Sequence, residues 1–230
     1  MTPSDLIHEN QPVMTFPEGD AVWETAQGAL ILLHGRGSDP MDILGLADYI
    51  TAPLLVYLAP FAAGREWYPN RFIMPIETNE PHLTSALRTV GNIVASVQKK
   101  GIPAERIGFL GFSQGACLAA EFVARNPHRY AGLFVLSGGL IGAPGTVFSY
   151  PGALAETPVF LGCSDSDPHI PLWRVQESTA AFKALGGAVT ERIYPRMGHT
   201  INDDEISMVN QLLGGLALPS AQGKDTPTPP

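Results

Sequence analysis

The sequence predicts a single-domain α/β protein with a mostly parallel sheet covered by helices on both faces. Three observations carry that prediction: short continuous apolar runs that end in breaker residues, helical stripes lying between those runs, and 24 glycines and 21 prolines spread between them as punctuation. Runs of four to five apolar residues are too short for buried helices and suit strands covered on both faces. The chain has 230 residues, 45% of them hydrophobic and 16% charged. A chain of that size buries roughly 70–75% of the surface its unfolded form exposes, so it needs neither disulfides nor a structural metal to fold.

Taken in order, the first run is 29–33 (ALILL), followed by the glycine-containing stretch HGRGSDP at 34–40, and the second is 54–58 (LLVYL). Residues 59–84 then form a loop of more than 20 residues that carries Phe61, Trp67, Tyr68, Phe72, Ile73 and Met74. Loops of that length inside compact domains are usually functional, and the aromatics read as a pocket lining. A contact surface between two copies of the chain, giving a homodimer, is the alternative. Apolar residues at 83, 86, 87, 90, 93, 94 and 97 make a helical stripe that ends in Lys99, Lys100 and Gly101, so 83–100 is expected to be a helix. A strand at 107–111, a helix at 114–125 and a strand at 133–136 follow. Residues 137–157 carry Gly and Pro throughout and show no stripe, too short a segment for a cap domain. The remaining expectations are a strand at 158–161, a helix at 172–185, a strand at 189–194 and a helix at 204–218. The domain is therefore drawn as 1–218. The tail 219–230 holds four prolines and no large apolar side chain, and is expected to be disordered.

Charge and cysteine content exclude several classes. With 14 Lys and Arg against 22 Asp and Glu, the net charge of −8 repels phosphate backbones and anionic headgroups, which argues against nucleic-acid binding. The two cysteines, Cys117 and Cys163, lie outside any CxxC or Cys/His pattern and read as reduced, buried thiols. The polar, acidic N-terminus lacks a signal-peptide pattern, and no apolar run approaches the roughly 20 residues of a membrane span. These features lead us to expect a soluble cytoplasmic protein.

The chemistry-bearing residues fall just past the ends of expected strands. Ser113 sits in Gly111-Phe112-Ser113-Gln114-Gly115 at a strand-to-helix corner, where flanking glycines remove the side chains that would clash with the crossing chain. A serine hydroxyl needs a base within reach and a third group to orient that base. Asp167 and His199 follow the strands at 158–161 and 189–194, and the chain order Ser, Asp, His is that of α/β hydrolases. Asp165 is the rival acid and is assigned to a turn. The backbone amides of Arg36 and Gln114 are chosen as oxyanion donors. His34 is expected to pack and hydrogen-bond its loop, His169 to be a solvated loop residue, and His8, His82 and His128 show no partner pattern. Asp203, Asp204 and Glu205 suit the first turn of a helix, where acids are favoured by its dipole.

The set HGRGSDP at 34–40, GREWYP at 64–69, GFSQG at 111–115, SDSDPHIP at 164–171 and MGHTI at 197–201 resembles the phospholipase/carboxylesterase family, which includes bacterial carboxylesterases and acyl-protein thioesterases. The resemblance runs from about residue 20 to 216 and departs from the thioesterases at Cys163-Ser164 and in the 66–72 loop. It implies a minimal α/β hydrolase without a lid domain, with Ser113, Asp167 and His199 as the triad, Arg36 and Gln114 at the oxyanion hole, and Trp67 as a wall of the acyl pocket; Tyr68 and Phe72 are the neighbouring substrate-binding candidates. The expected activity is hydrolysis of short- to medium-chain carboxylic esters, small molecules, through an acyl-enzyme. (Lyso)phospholipase or acyl-thioesterase activity is the alternative, and a non-catalytic binding or dimerisation module is a further one. No cofactor is expected: GxxxxGK[ST], GxGxxG after the first strand and HExxH are all absent.

Overall fold

A computed structural model describes residues 7–52 and 54–214, so the tail expected at 219–230 and the last four residues of the helix expected to reach 218 lie outside the described residues. The described chain contains seven strands, β1 (Val13–Phe16), β2 (Gly28–Leu33), β3 (Leu55–Pro60), β4 (Ile107–Phe112), β5 (Gly132–Leu136), β6 (Pro158–Ser164) and β7 (Ala188–Tyr194). Its helices are α1 (Val22–Thr25), α2 (Pro40–Leu44), α3 (His82–Lys99), α4 (Gln114–Arg125), α5 (Leu172–Ala184) and α6 (Asp203–Gly214). The strands form one sheet in the order β1-β3-β2-β4-β5-β6-β7. Only the β1–β3 pair is antiparallel, with Val13 opposite Pro60 and Phe16 opposite Tyr57.

Strand alternation divides the interior into two cores. Along β2, Ala29, Ile31 and Leu33 point to the face covered by α3, α4 and α5, while Leu30 and Leu32 point to the face covered by α2 and α6. The same division holds in β5, with Leu133 and Val135 on the first face and Phe134 and Leu136 on the second. Both faces are apolar, which is why these strands appear in the sequence as unbroken runs. Helix α4 is buried along its whole length except Arg125. Its small residues Ala116, Ala119 and Ala120 let it lie close against the sheet.

Three of the strands and α-helices were not expected from the sequence. Strand β1 has four residues, two of them exposed (Val13 and Phe16), so it makes no continuous apolar run. Helices α1 and α2 are too short for a stripe, although α2 does carry a start signal: Asp39 caps it, its Oδ1 accepting from Met41 N–H at 3.0 Å, with Pro40 in the first turn. The segment between β5 and β6 contains no helix or strand, as expected for 137–157. Because β2 to β7 run parallel, the loops that follow β2, β4, β6 and β7 gather at one edge of the sheet.

Candidate active site

Ser113 follows β4 directly and has φ 56° and ψ −120°, a conformation that side-chain-bearing residues rarely adopt. The corner tolerates it because its neighbours are glycine. A Cβ at Gly111 would lie 2.4 Å from the Gly115 carbonyl carbon, and one at Gly115 only 2.0 Å from the Leu33 carbonyl oxygen. The Ser113 N–H donates to Leu136 O at 3.0 Å and its carbonyl accepts from Cys117 N–H at 3.1 Å, so the strained residue is held on both sides. Gln114 begins α4, and its N–H therefore has no carbonyl in the preceding turn to pair with.

The Ser113 hydroxyl lies 2.9 Å from His199 Nε2, and His199 Nδ1 lies 2.7 Å from Asp167 Oδ2. The other carboxylate oxygen of Asp167 accepts from the His169 and Ile170 N–H groups at 2.8 and 3.0 Å. Both oxygens are thus engaged, and the Asp167 side chain is wholly buried whereas His199 is partly open. The His199 ring packs between Phe112 and His169, with centroids at 4.9 and 4.8 Å. Asp165 points elsewhere: its Oδ1 accepts from Arg196 N–H at 2.8 Å and fastens the turn after β7. The sequence order thus brings Ser113, His199 and Asp167 into one hydrogen-bonded row.

The loop after β2 faces this row. His34 is buried, its Nδ1–H donating to Gly35 O at 2.8 Å and its Nε2 accepting from Ala62 N–H at 3.2 Å. Burial lowers its pKa, which keeps the ring neutral. The amide of Arg36 has no protein acceptor among the described residues. The side chains of Arg36 and Gln114 were not part of the sequence reading, and both fasten the same loop. Arg36 pairs with Glu66 and donates to the carbonyls of Tyr68, Pro69 and Asn70 at 2.7, 3.0 and 3.0 Å. Gln114 accepts from Trp67 N–H at 2.9 Å and donates to Tyr68 O at 2.7 Å.

A cavity of about 760 Å³ opens over Ser113 and His199, within the range of small-molecule sites. Tyr68, Phe72, Arg36 and Gln114 line it, but Trp67 does not. Trp67 has no exposed surface and lies behind the wall, its indole N–H donating to His34 O at 2.9 Å, so it cannot touch a substrate. The reason is the buried carbonyl, which draws the ring inward to supply its donor. Cys117 also reaches the cavity. Burial pushes the thiols of Cys117 and Cys163 up to about 12, which leaves neither as a thiolate nucleophile near neutral pH.

Several residues at or behind the site had no recognised signal. His8 is fully buried, its Nε2 bonded to Trp67 O at 3.0 Å and its Nδ1 accepting from Ala63 N–H at 3.0 Å. His169 is exposed as expected, yet its ring abuts His199. Glu205 lies in the first turn of α6 as expected, but it is buried there and forms a reciprocal cap with Asn202: each side chain accepts from the other's N–H, at 2.9 and 3.0 Å. An Asn followed three residues on by Glu was a legible form of that cap.

The family model described as phospholipase/carboxylesterase matches residues 21–215. The chain belongs to the phospholipase/carboxylesterase family. Membership makes it a carboxylic ester hydrolase with an α/β-hydrolase fold. The chain is 28% identical over 189 residues to the esterase YpfH of Escherichia coli, covering 77% of this chain and 78% of the other. Acyl-protein thioesterase 1 of Kluyveromyces lactis is 27% identical over 215 residues, covering 83% and 92%. The crystal structure of a phospholipase/carboxylesterase from Dyadobacter fermentans matches with a TM-score of 0.84 and 40% identity, covering 90% of this chain and 97% of that one.

Proposed function

We propose that this hydrolase is a serine carboxylesterase acting on short- to medium-chain esters through an acyl-enzyme. The observation that carries the reading is the row Ser113, His199 and Asp167, with contacts of 2.9 and 2.7 Å at the mouth of the cavity. Ser113 Oγ attacks the ester carbonyl while His199 Nε2 takes its proton. Negative charge gathers on the carbonyl oxygen, and the amides of Arg36 and Gln114 donate to it, at roughly 3 kcal/mol of transition-state stabilisation each. Asp167 holds the imidazole in the tautomer with Nδ1–H and stabilises the imidazolium. The proton then passes to the leaving alcohol, and a water activated by the same imidazole releases the acid. Nothing in this cycle calls on a metal or an organic cofactor.

The short-chain preference rests on the absence of a cap segment between β5 and β6 among the described residues and on a cavity bounded by Phe72, Ile43 and Leu46. An apolar wall rewards each added methylene by at most about 0.8 kcal/mol until it is full. Two buried, unpaired thiols suit a reducing compartment, and a cytoplasmic location remains part of this proposal. Among the described residues no helix is long and apolar enough to cross a membrane. The test is pre-steady-state hydrolysis of p-nitrophenyl acetate and butyrate. A burst of nitrophenol equal to the enzyme concentration, lost after a serine-directed phosphonate and in Ser113→Ala, is expected. Undiminished turnover in Ser113→Ala would overturn the reading. An ester and thioester panel graded by acyl length separates this activity from that of the thioesterase relatives.

A further inference from the structure

The cavity has two unlike halves. Ile43, Leu46, Phe112 and Ile201 form one, all belonging to the core on the α2 and α6 side of the sheet. Asn70, Arg71 and His169 form the other, beside Phe72 and Ile170 of the opposite core. The carboxylate that lines the apolar half, Asp42, is engaged by the Ser38 hydroxyl at 2.6 Å.

Arg71 is the charged group of the polar half. Its one hydrogen bond runs from Nη2 to His169 O at 3.3 Å, and among the described residues no carboxylate lies within ion-pair distance of it. Nε and Nη1 are left without partners, and because Nη2 carries two N–H groups, one towards each of them, the edge that does not face His169 O is left to bind a carboxylate with two parallel bonds. In a chain of net charge −8 carboxylates are plentiful, yet none has been placed here. Arg36, the other guanidinium of the cavity, has both its Nη atoms engaged, by Glu66 and three carbonyls.

The backbone that presents Arg71 is fixed. Asn79, wholly buried, accepts from Asn70 N–H at 2.8 Å and donates to Arg71 O at 3.4 Å, while Met74 N–H also donates to Arg71 O at 3.0 Å. The next carbonyl, Phe72 O, accepts from Gly142 N–H at 2.8 Å. On the far side, the His169 carbonyl that holds Nη2 belongs to the residue whose ring abuts His199. The guanidinium is thus tethered to the residue whose ring abuts His199.

We propose that Arg71 is a carboxylate-binding subsite, and that the preferred substrates are esters with a carboxylate in the acyl or the alcohol portion and an apolar remainder in the α2 half. This rests on the serine-esterase reading above. Matched pairs test it, each differing in one charge: mono-p-nitrophenyl adipate against p-nitrophenyl hexanoate for the acyl arm, and 3-acetoxybenzoate against its methyl ester for the alcohol arm. The quantity read is the ratio of kcat/KM, charged over neutral, on one enzyme preparation, so that any general loss of activity cancels. The expected result is a ratio above one on at least one arm, falling roughly tenfold in Arg71→Ala, partly retained in Arg71→Lys and lowest in Arg71→Glu. The ratio should also shrink between 20 and 500 mM NaCl, as expected for a solvent-accessible pair (about a 10 Å screening length at 0.1 M). If neutral esters turn over through Ser113 but the ratio is unchanged in Arg71→Ala and Arg71→Glu on both arms, the subsite is refuted and Arg71 merely braces the His169 turn. If no ester turns over at all, the esterase reading fails first.

Discussion

Ser113 occupies its left-handed conformation because two glycines leave room for the crossing chain, and this makes the corner intolerant of the smallest added side chain. Gly115→Ala would place a methyl group 2.0 Å from the Leu33 carbonyl. We expect it to cost about 3 kcal/mol or more and to lower the thermal midpoint measured by circular dichroism. Ser113→Ala keeps the Cβ and deletes only the hydroxyl, so it should lower kcat by roughly 10⁴ to 10⁶ while the midpoint stays close to that of the parent. The two aspartates give a sharper comparison. Asp167→Asn removes the charge beside His199, whereas Asp165→Asn touches only the turn at Arg196, so the first should lose at least a hundredfold more activity. Equal losses would mean that the acid has been misassigned. At this scale the meeting of Ser113, His199 and Asp167 in one hydrogen-bonded row was legible because particular polar residue types stand just past strand ends. Trp67 was misplaced because a sequence shows that a ring is present and not which buried carbonyl its N–H must satisfy.

Among the elements, the 59–84 loop was recognised by length and aromatic content, but the fastening of its 66–70 stretch was not. Six side-chain contacts from Arg36 and Gln114 hold it, and such long-range pairings have no sequence period. Gln114→Ala deletes two of those contacts and should cut kcat/KM roughly ten- to a hundredfold by loosening the wall over Ser113. Trp67→Phe keeps the ring and deletes the donor to His34 O; it should cost about 1–3 kcal/mol of stability yet leave the acyl-length profile unchanged. Phe72→Ala, on the cavity surface, should change that profile. Strands β2 to β6 were readable since both faces are apolar, and α3 since one stripe runs through 18 residues. Strand β1 was not, because an antiparallel edge of four half-exposed residues makes neither pattern.

For the molecule as a whole, two buried groups at different places tie stability to pH with opposite signs. Desolvation lowers His8 from 6.5 to about 4, so the folded state resists a proton that the unfolded chain takes up. Its contribution is present above pH 6.5 and is lost as pH falls towards 4, by about 3 kcal/mol in all. Glu205 is raised by desolvation from 4.5 to about 7, so the folded state resists losing a proton. Its contribution is present below pH 4.5 and is lost as pH rises through 7, again by about 3 kcal/mol. Between pH 4.5 and 6.5 these two slopes offset each other, and His34, which burial also lowers, leaves a net rise of stability with pH in urea denaturation. Glu205→Gln keeps an acceptor for Asn202 N–H and removes the charge. It should stabilise the protein at pH 8, change little at pH 4.5, and expose the decline due to His8. A variant whose stability rose by the same amount at both pH values would contradict this account.

The double use of Arg36 and Gln114 bears on how such an enzyme can diverge. In the proposed mechanism their backbone amides face the developing anion, while their side chains hold the loop that shapes the acyl wall. A change in that loop that shifts one of its carbonyls pulls on the residues that set the rate. Substitutions at 66–70 should therefore show strong epistasis with positions 36 and 114. Libraries that vary the loop alone should trade turnover for altered selectivity, and libraries that vary all three places together should escape that trade.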